Sequence, residues 1–364
     1  MTITDHTTAA PEAMSDRLFG DALGGFHLLC VHLGIELGLY LELDGSPAQT
    51  AAQLAARTGL DAWYVREWLQ AERAAGVVVL DGDSVDTGTF TLAPGVREAI
   101  VDPVSPYNVA GLASALASIG TITSKLVDAF RTGDGVPYDA YGPTGLAAIA
   151  ALNRPAYVNS LVAGWLPVVP DLLARLQDPT APAAVADVGC GAGWSAIELA
   201  SAFPHLTIEG FDNDDASIAQ ARANATARGV ADRVEFEVRD ITRPYPTGES
   251  YDLIAFFECL HDLGHPAEAL SAARDALNPG GIVLVMEENV GDDMAAPGDP
   301  LETFFATVSV LWCLPQGRVD TNSTAIGTVI RPSTLRALAT QAGFARVEDL
   351  PIEHPFFRFY RLTG

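Results

Sequence analysis

Residues 185–193 read Val-Ala-Asp-Val-Gly-Cys-Gly-Ala-Gly, an apolar run that closes on three glycines at every second position. A strand that must turn at once into a helix produces this pattern. Glycine tolerates left-handed backbone and lets another group come close without a Cβ in the way. Downstream, apolar runs alternate with helical spacing. They predict strands at Ala184–Val188, Thr207–Asp212, Val234–Arg239, Tyr251–Phe257, Gly281–Glu287, Ala345–Asp349 and Phe356–Leu362. Helices are expected to start near Gly193, Ala216, His265 and Ser333. The fold class is therefore α/β, a doubly wound, mostly parallel sheet of seven strands whose ligand crevice lies beyond the strand carboxyl ends.

The residues around the glycines narrow the ligand. A nicotinamide-dinucleotide loop needs glycine or alanine where this chain has Trp194. Asp187, just before the turn, suits a cationic amino group better than a pyrophosphate. The second strand ends in Asp212, 25 residues further on, where a carboxylate can accept both hydroxyl protons of a ribose. Asn213 follows at the start of a helix. After the third strand come Asp240 and Ile241, an acid and an apolar side chain suited to the amino group and ring face of adenine. An isolated loop acid is usually just solvated. Three in order after successive strands form a constellation.

The first half of the chain reads differently. Met1–Asp16 is polar, lacks the basic-then-apolar order of a secretion signal, and reads as a frayed tail. Residues 17–43 set Leu18, Phe19, Leu23, Phe26, Leu29, Cys30, Leu33, Leu37 and Leu41 at helical spacing, which predicts buried helices. Ser46-Pro47 is read as the start of a helix running to Ala56, and Thr58–Asp61 as the turn into another at Ala62–Ala75. Val77–Leu80 and Thr89–Leu92 flank a turn-rich segment and predict a hairpin. Helix, turn, helix, hairpin is the order of a winged helix. A further helix is expected at Arg154–Leu176, ahead of a linker at 178–182. The chain then divides into a tail (1–16), a winged-helix-like dimerisation domain (17–100), a helical linker and pocket wall (101–182) and a ligand-binding domain (183–364).

Charge sets the expected partners. A net charge of −25 repels phosphate backbones and anionic membranes. The second winged-helix segment carries Asp61, Glu67 and Glu72 against Arg66 and Arg73, where a groove-reading helix needs a basic surplus. Trp63, Tyr64 and Trp68 there favour packing or an interface, so a second copy of the chain is the expected partner and nucleic acid is disfavoured. No apolar run reaches ~18 residues without polar interruption, so no membrane partner is expected. Cys30, Cys190, Cys259 and Cys313 are scattered, as reduced thiols in the cytoplasm would be. No cluster of acids or histidines has metal-ligand spacing, and no metal is expected.

Residues 183–290 resemble the core of class I S-adenosylmethionine (SAM) dependent methyltransferases. Asp187–Gly193 resembles the family's first motif, Asp212 its ribose acid, Asp240 its adenine acid, and Asn278-Pro-Gly-Gly281 another recurrent turn. With the winged-helix-like part, the whole chain resembles dimeric small-molecule O-methyltransferases and their bacterial winged-helix relatives. The resemblance implies a Rossmann-like sheet, SAM as cofactor and S-adenosylhomocysteine as product. Asp187, Gly189, Gly191, Gly193, Asp212, Asn213, Asp240, Ile241 and Phe257 would line the cofactor site. The family also places a His-Asp after strand four as general base, and His261-Asp262 matches it. A neutral imidazole, with a pKa of ~6.5, can take a hydroxyl proton at neutral pH. The family's orienting Glu after strand five is matched by Glu287 better than by Glu288. His265 is a competing base, and the bland alternative for His261 is helix capping or packing.

The long segment Asn289–Ile330 is expected to form a lid or pocket wall. Its helical stretch Leu301–Leu314 carries Phe304 and Trp312. Together with Phe26, Tyr138 and Tyr141, and with His265 nearby, these residues predict an apolar or aromatic acceptor enclosed by both domains. Two other functions share the same motifs. One is a SAM-fold enzyme that runs a cyclisation or decarboxylation; the other is a ligand-responsive winged-helix DNA regulator.

Overall fold

The computed structural model describes residues 6–364 except 244, 246, 247, 249, 296 and 321. The chain forms two compact units, Met1–Gly120 with Ala147–Pro155, and Thr121–Leu146 with Ala156–Gly364. The division falls inside two helices and not in a linker.

The first unit contains α1 (His6–Glu36), α2 (Leu39–Asp44), α3 (Ala51–Thr58), α4 (Ala62–Ala74) and a hairpin of β1 (Val78–Asp81) with β2 (Thr89–Leu92). Asp61 starts α4 by accepting the backbone N–H groups of Trp63 and Tyr64. The start expected at Ser46-Pro47 moves to Thr50, because Thr50 and Gln53 form a reciprocal capping box that satisfies two free N–H groups. Ser46 instead donates its hydroxyl to Glu42. Leu39, Tyr40, Leu54, Leu69 and Phe90 form the core of this unit.

Three expectations for this half need correction. The stretch read as a tail is helical from His6. The helices at 17–43 are present but mostly not buried: Leu18, Phe19, Leu23 and Phe26 are 60–72% exposed. Their spacing marked a helix without saying what covers it. Lastly, Ala10–Glu36 and Ala110–Thr132 are long and apolar enough to cross a membrane by length and composition, at mean hydropathies of 1.4 and 1.3. Isolated charges interrupt these stretches without removing their apolar character.

The second unit takes in the later part of α5 (Ala110–Thr132) and the ends of α6 (Gly142–Ala156). The single helix expected over Arg154–Leu176 is broken. The chain widens at Tyr157–Trp165 and then bends by 113° into α7 (Pro170–Gln177). Pro170 has no N–H to continue the ladder.

The sheet comprises β3 (Ala184–Val188), β4 (Thr207–Asp212), β5 (Val234–Val238), β6 (Tyr251–Phe257), β7 (Leu277–Glu288), β8 (Arg346–Asp349) and β9 (Phe357–Thr363). Among the described residues it is seven-stranded, in the order β5-β4-β3-β6-β7-β9-β8, with β9 antiparallel to both neighbours. The turn expected at Asn278–Gly281 lies inside β7, where the register shifts between the Tyr251–Leu277 and Leu253–Ile282 pairs. Helices α8 (Trp194–Ala202), α9 (Asp215–Arg228), α10 (Pro266–Asp275) and α13 (Pro332–Gln341) connect the strands, and α11 (Pro300–Val308) and α12 (Leu314–Gly317) fill the long insertion. Strand residues alternate between two cores: Val185, Leu253 and Leu284 enter one, while Ala186, Ile254 and Val285 enter the other. From β3 the chain moves outward to β4 on one side, and β6 later pairs on the other. A crevice at that switch point is where such sheets bind ligands.

Candidate functional site

Gly189, Gly191 and Gly193 all hold left-handed backbone, with φ of 65°, 50° and 77°. Their surroundings differ. A Cβ on Gly189 would lie 2.6 Å from Cys259 Cβ, and one on Gly193 would lie 2.6 Å from the Phe236 ring. On Gly191 it would meet nothing within 4 Å. The outer glycines serve packing, and Gly191 presents bare backbone to open space.

Two acids hold this loop. Asp187 is buried; its carboxylate accepts the Ser195 hydroxyl and the Ala196 N–H, so it caps α8. Burial pushes its pKa up to about 7 against those hydrogen bonds. Asp212 accepts the Gly191 N–H at 2.9 Å on one oxygen and the Asp214 N–H at 3.0 Å on the other. Burial raises its pKa as well. Asn213 is exposed beside it. Asp240 is also exposed, and hydrogen bonds from Thr242, then from Arg243, hold its pKa below the usual value. Ile241 is buried. Phe257 packs into the core against Tyr157 and Trp165, at ring-centroid distances of 6.1 and 6.2 Å.

At the end of β6, Glu258 takes φ of 58°, uncommon for a residue with a side chain. Cys259 follows against Gly189, and Leu260–Asp262 form one tight helical turn. This turn therefore abuts the glycine loop. His261 is buried within it, and its Nδ1 donates to Glu287 at 2.6 Å. The second Glu287 oxygen accepts the Leu260 N–H at 3.1 Å. Glu288 Oε1 lies 3.3 Å from the same His261 nitrogen, yet neither of its carboxylate oxygens receives a hydrogen bond. On the far side, His261 Nε2 lies 3.5 Å from Asp262, and Cys313 hydrogen-bonds the ring.

Burial opposes charge on His261, but Glu288, Glu287 and Asp262 outweigh it and hold its pKa well above that of free imidazole. Burial likewise pushes Glu258 up to about 8 and raises Asp262 and Glu288. So many acids in so dry a place share protons and do not all ionise. The sequence pointed to His261 with Asp262, and to Glu287 with Glu288 as its alternative, but not to Glu258 and Cys313 beside them. An acid closing an apolar strand, as Glu258 does, was the available signal.

The aromatic residues divide. Tyr138 and Tyr141 meet Trp312 at ring-centroid distances of 6.4 and 4.1 Å, and the Tyr141 hydroxyl donates to the Leu311 carbonyl at 2.9 Å. Burial, then the fields of Asp212 and Asp262, raise the Tyr138 pKa strongly, so this phenol lies near both the loop acid and the His261 turn. Phe304 is 39% exposed beside Phe305. His265 stands at the N-terminus of α10 and caps it with no side-chain hydrogen bond. Phe26 belongs to the first unit, on the exposed face of α1.

Known proteins share this architecture. A methyltransferase-domain family matches residues 180–310, and the Rv2258c-like winged HTH domain matches residues 25–97. The ubiquinone biosynthesis O-methyltransferase of Hydrogenovibrio crunogenus is 30% identical over 182 residues, covering 49% of this chain and 69% of that protein. The trans-aconitate 2-methyltransferase of Streptomyces avermitilis is 36% identical over 112 residues, or 30% of this chain. The chain spans 41% of that relative's length, and 38% of the malonyl-[acyl-carrier protein] O-methyltransferase of Halalkalibacterium halodurans. Human N-acetylserotonin methyltransferase, solved in complex with SAM, has the same fold, with a TM-score of 0.65 at 19% identity over 100% of both chains. Fold and site thus define a SAM-fold enzyme with a winged-helix domain at its N-terminus. The chain belongs to the SAM-dependent methyltransferases.

Proposed function

We propose that this protein transfers the methyl group of SAM to oxygen on a small aromatic or apolar acceptor, with His261 as general base. The observation that carries the reading is the buried 2.6 Å hydrogen bond between His261 and Glu287, on a turn whose Cys259 touches Gly189 of the glycine loop. The loop residues fit the cofactor. Gly191 offers bare backbone at an open position, and Asp212 holds that backbone in place. Asp212 would receive the ribose hydroxyls, Asp240 and Ile241 the adenine, and Asp187 would lie nearest the amino group. When bound, SAM supplies an electrophilic methyl carbon on a positively charged sulfur.

His261 takes the acceptor's hydroxyl proton at Nε2, while Glu287 accepts a hydrogen bond from Nδ1–H and stabilises the imidazolium that forms. The ring has to be neutral beforehand, and a positive charge brought close by shifts it that way. Tyr138, Tyr141 and Trp312 support an aromatic acceptor.

Incubation with SAM and a panel of small phenols should release S-adenosylhomocysteine. His261→Gln should lower kcat by roughly 100- to 10,000-fold with unchanged SAM affinity. Product formed without S-adenosylhomocysteine would instead favour cyclisation or decarboxylation.

A homodimer belongs to the same proposal. Leu18, Phe19, Leu23 and Phe26 on α1, with Trp63 and Tyr64 on α4, expose a large apolar surface on the first unit. Light scattering should give twice the chain mass of 38.3 kDa. A monomer that partitions onto neutral vesicles would contradict it. All four cysteines are free thiols, which supports a reducing compartment such as the cytoplasm.

A further inference from the structure

We propose that Asn224, on α9, is a positioning residue that fixes the backbone direction of the cofactor loop. The proposal rests on the reading of Cys190–Gly193 as that loop. Asn224 is half-buried, and its Nδ2 donates to the Ala192 carbonyl at 2.9 Å across 32 residues. A carbonyl only accepts, so the amide nitrogen is the end that faces it. The same helix meets the loop one turn earlier. There a Cβ on Gly193 would lie 2.9 Å from the Ala221 methyl. Residues three apart share a helix face, so α9 sets a methyl and an amide side by side against the loop.

Most other backbone groups of the loop are already taken. The Cys190 N–H goes to the Phe211 carbonyl at 3.0 Å, and the Gly191 N–H to Asp212. The Gly193 N–H goes to the Cys190 carbonyl at 2.8 Å, and the Gly193 carbonyl accepts the Ile197 N–H at 2.9 Å. Among the described residues, the Ala192 N–H meets no acceptor, although Ala192 is buried. Buried N–H groups are normally paired, so this donor is the one the loop keeps for an oxygen of the cofactor.

The Ala192 N–H belongs to the peptide between Gly191 and Ala192. The peptide before it is pinned by Asp212 through the Gly191 nitrogen, and the peptide after it by Asn224 through the Ala192 oxygen. Those two side chains together set where the free donor points. Asparagine is also a poor residue for a helix interior, and alanine at 224 would serve α9 better if the helix were its only purpose.

Calorimetric SAM titration, with amide hydrogen exchange and urea unfolding of the cofactor-free protein, tests Asn224→Ala, Asn224→Asp and Asn224→Gln against the parent. Asn224→Ala should keep the parent's unfolding midpoint, speed exchange of the Gly191 and Gly193 amides at least about fivefold, and weaken SAM binding about 3- to 10-fold. Asn224→Asp sets an acceptor against the Ala192 carbonyl and should weaken SAM more than alanine does. Asn224→Gln keeps the amide on a longer arm and should recover part of the loss. Parent-like loop exchange or parent-like SAM affinity in Asn224→Ala overturns the proposal. So does faster exchange throughout the sheet with a lowered midpoint, the mark of a merely structural role. A parent that binds no SAM defeats the cofactor reading instead, and loop exchange still decides whether Asn224 fixes the backbone.

Discussion

Two of the loop glycines should fail in different ways when each gains a single methyl group. Gly191→Ala and Gly193→Ala both force alanine into left-handed backbone, at φ of 50° and 77°. That costs about 1–2 kcal/mol each. Only the Gly193 methyl collides, with Phe236 at 2.6 and 2.8 Å and with Ala221 at 2.9 Å. Overpacking of this kind adds about 1–3 kcal/mol, because neither the ring nor the neighbouring methyl can swing away in a filled core. Gly193→Ala should therefore lose about 2–5 kcal/mol, against about 1–2 kcal/mol for Gly191→Ala. Urea unfolding of both variants beside the parent measures the gap, and SAM calorimetry gives the complement. Gly191→Ala should fold well yet lose cofactor affinity, because its methyl projects into the proposed cofactor space. Equal destabilisation, or wild-type SAM binding by Gly191→Ala, would refute the assignment of packing to one glycine and cofactor approach to the other.

Other outcomes follow from the buried acids. Glu287→Gln removes the charge that faces His261 Nδ1, so the imidazolium loses support; kcat should drop and the acidic limb of the pH–rate profile should move to lower pH. An unmoved limb would mean that His261 does not set it. Asp187, with a folded pKa of about 7 against 3.8, binds an extra proton in the folded state between those values. Its contribution to stability is thus present below about pH 4 and lost as pH rises to 7, amounting to roughly 4 kcal/mol. A cationic amino group beside Asp187 reverses the loss, so the thermal shift produced by SAM should be larger at pH 8 than at pH 6. Asp187→Asn should flatten that difference, and a SAM shift independent of pH in the parent would contradict the pairing.

Local chemistry made much of the molecule legible. Alternating apolar runs gave all seven strands, because a strand buried on both faces needs continuous apolar residues. Asp61 was readable as the start of α4, since an acid before an apolar periodic run is a strong cap. Ser46-Pro47 misled, because it resembled a helix start as well as Thr50 did, and only the reciprocal Gln53 contact distinguishes the two. The exposed face of α1 was not legible. Helical spacing reports periodicity, and Leu18 and Phe19 are apolar whether covered or not.

The site shows the same boundary. Asp187, Asp212 and the glycines sit on one connection after another, so their order alone assembled them. The cluster around His261 depends on β6 lying beside β7, which brings His261 and Glu287 together across 26 residues. No linear ligand spacing records that contact. Cys313 joins it from the long insertion, whose course over the site the sequence left open.

Calorimetric titration of SAM into the intact protein and into Asp212→Asn is the most direct test of the account. One SAM should bind per chain, and the variant should bind roughly 10- to 100-fold more weakly, having lost the carboxylate that accepts the Gly191 N–H and is proposed to receive the ribose hydroxyls. No binding to the intact protein, or equal binding to both, would contradict it.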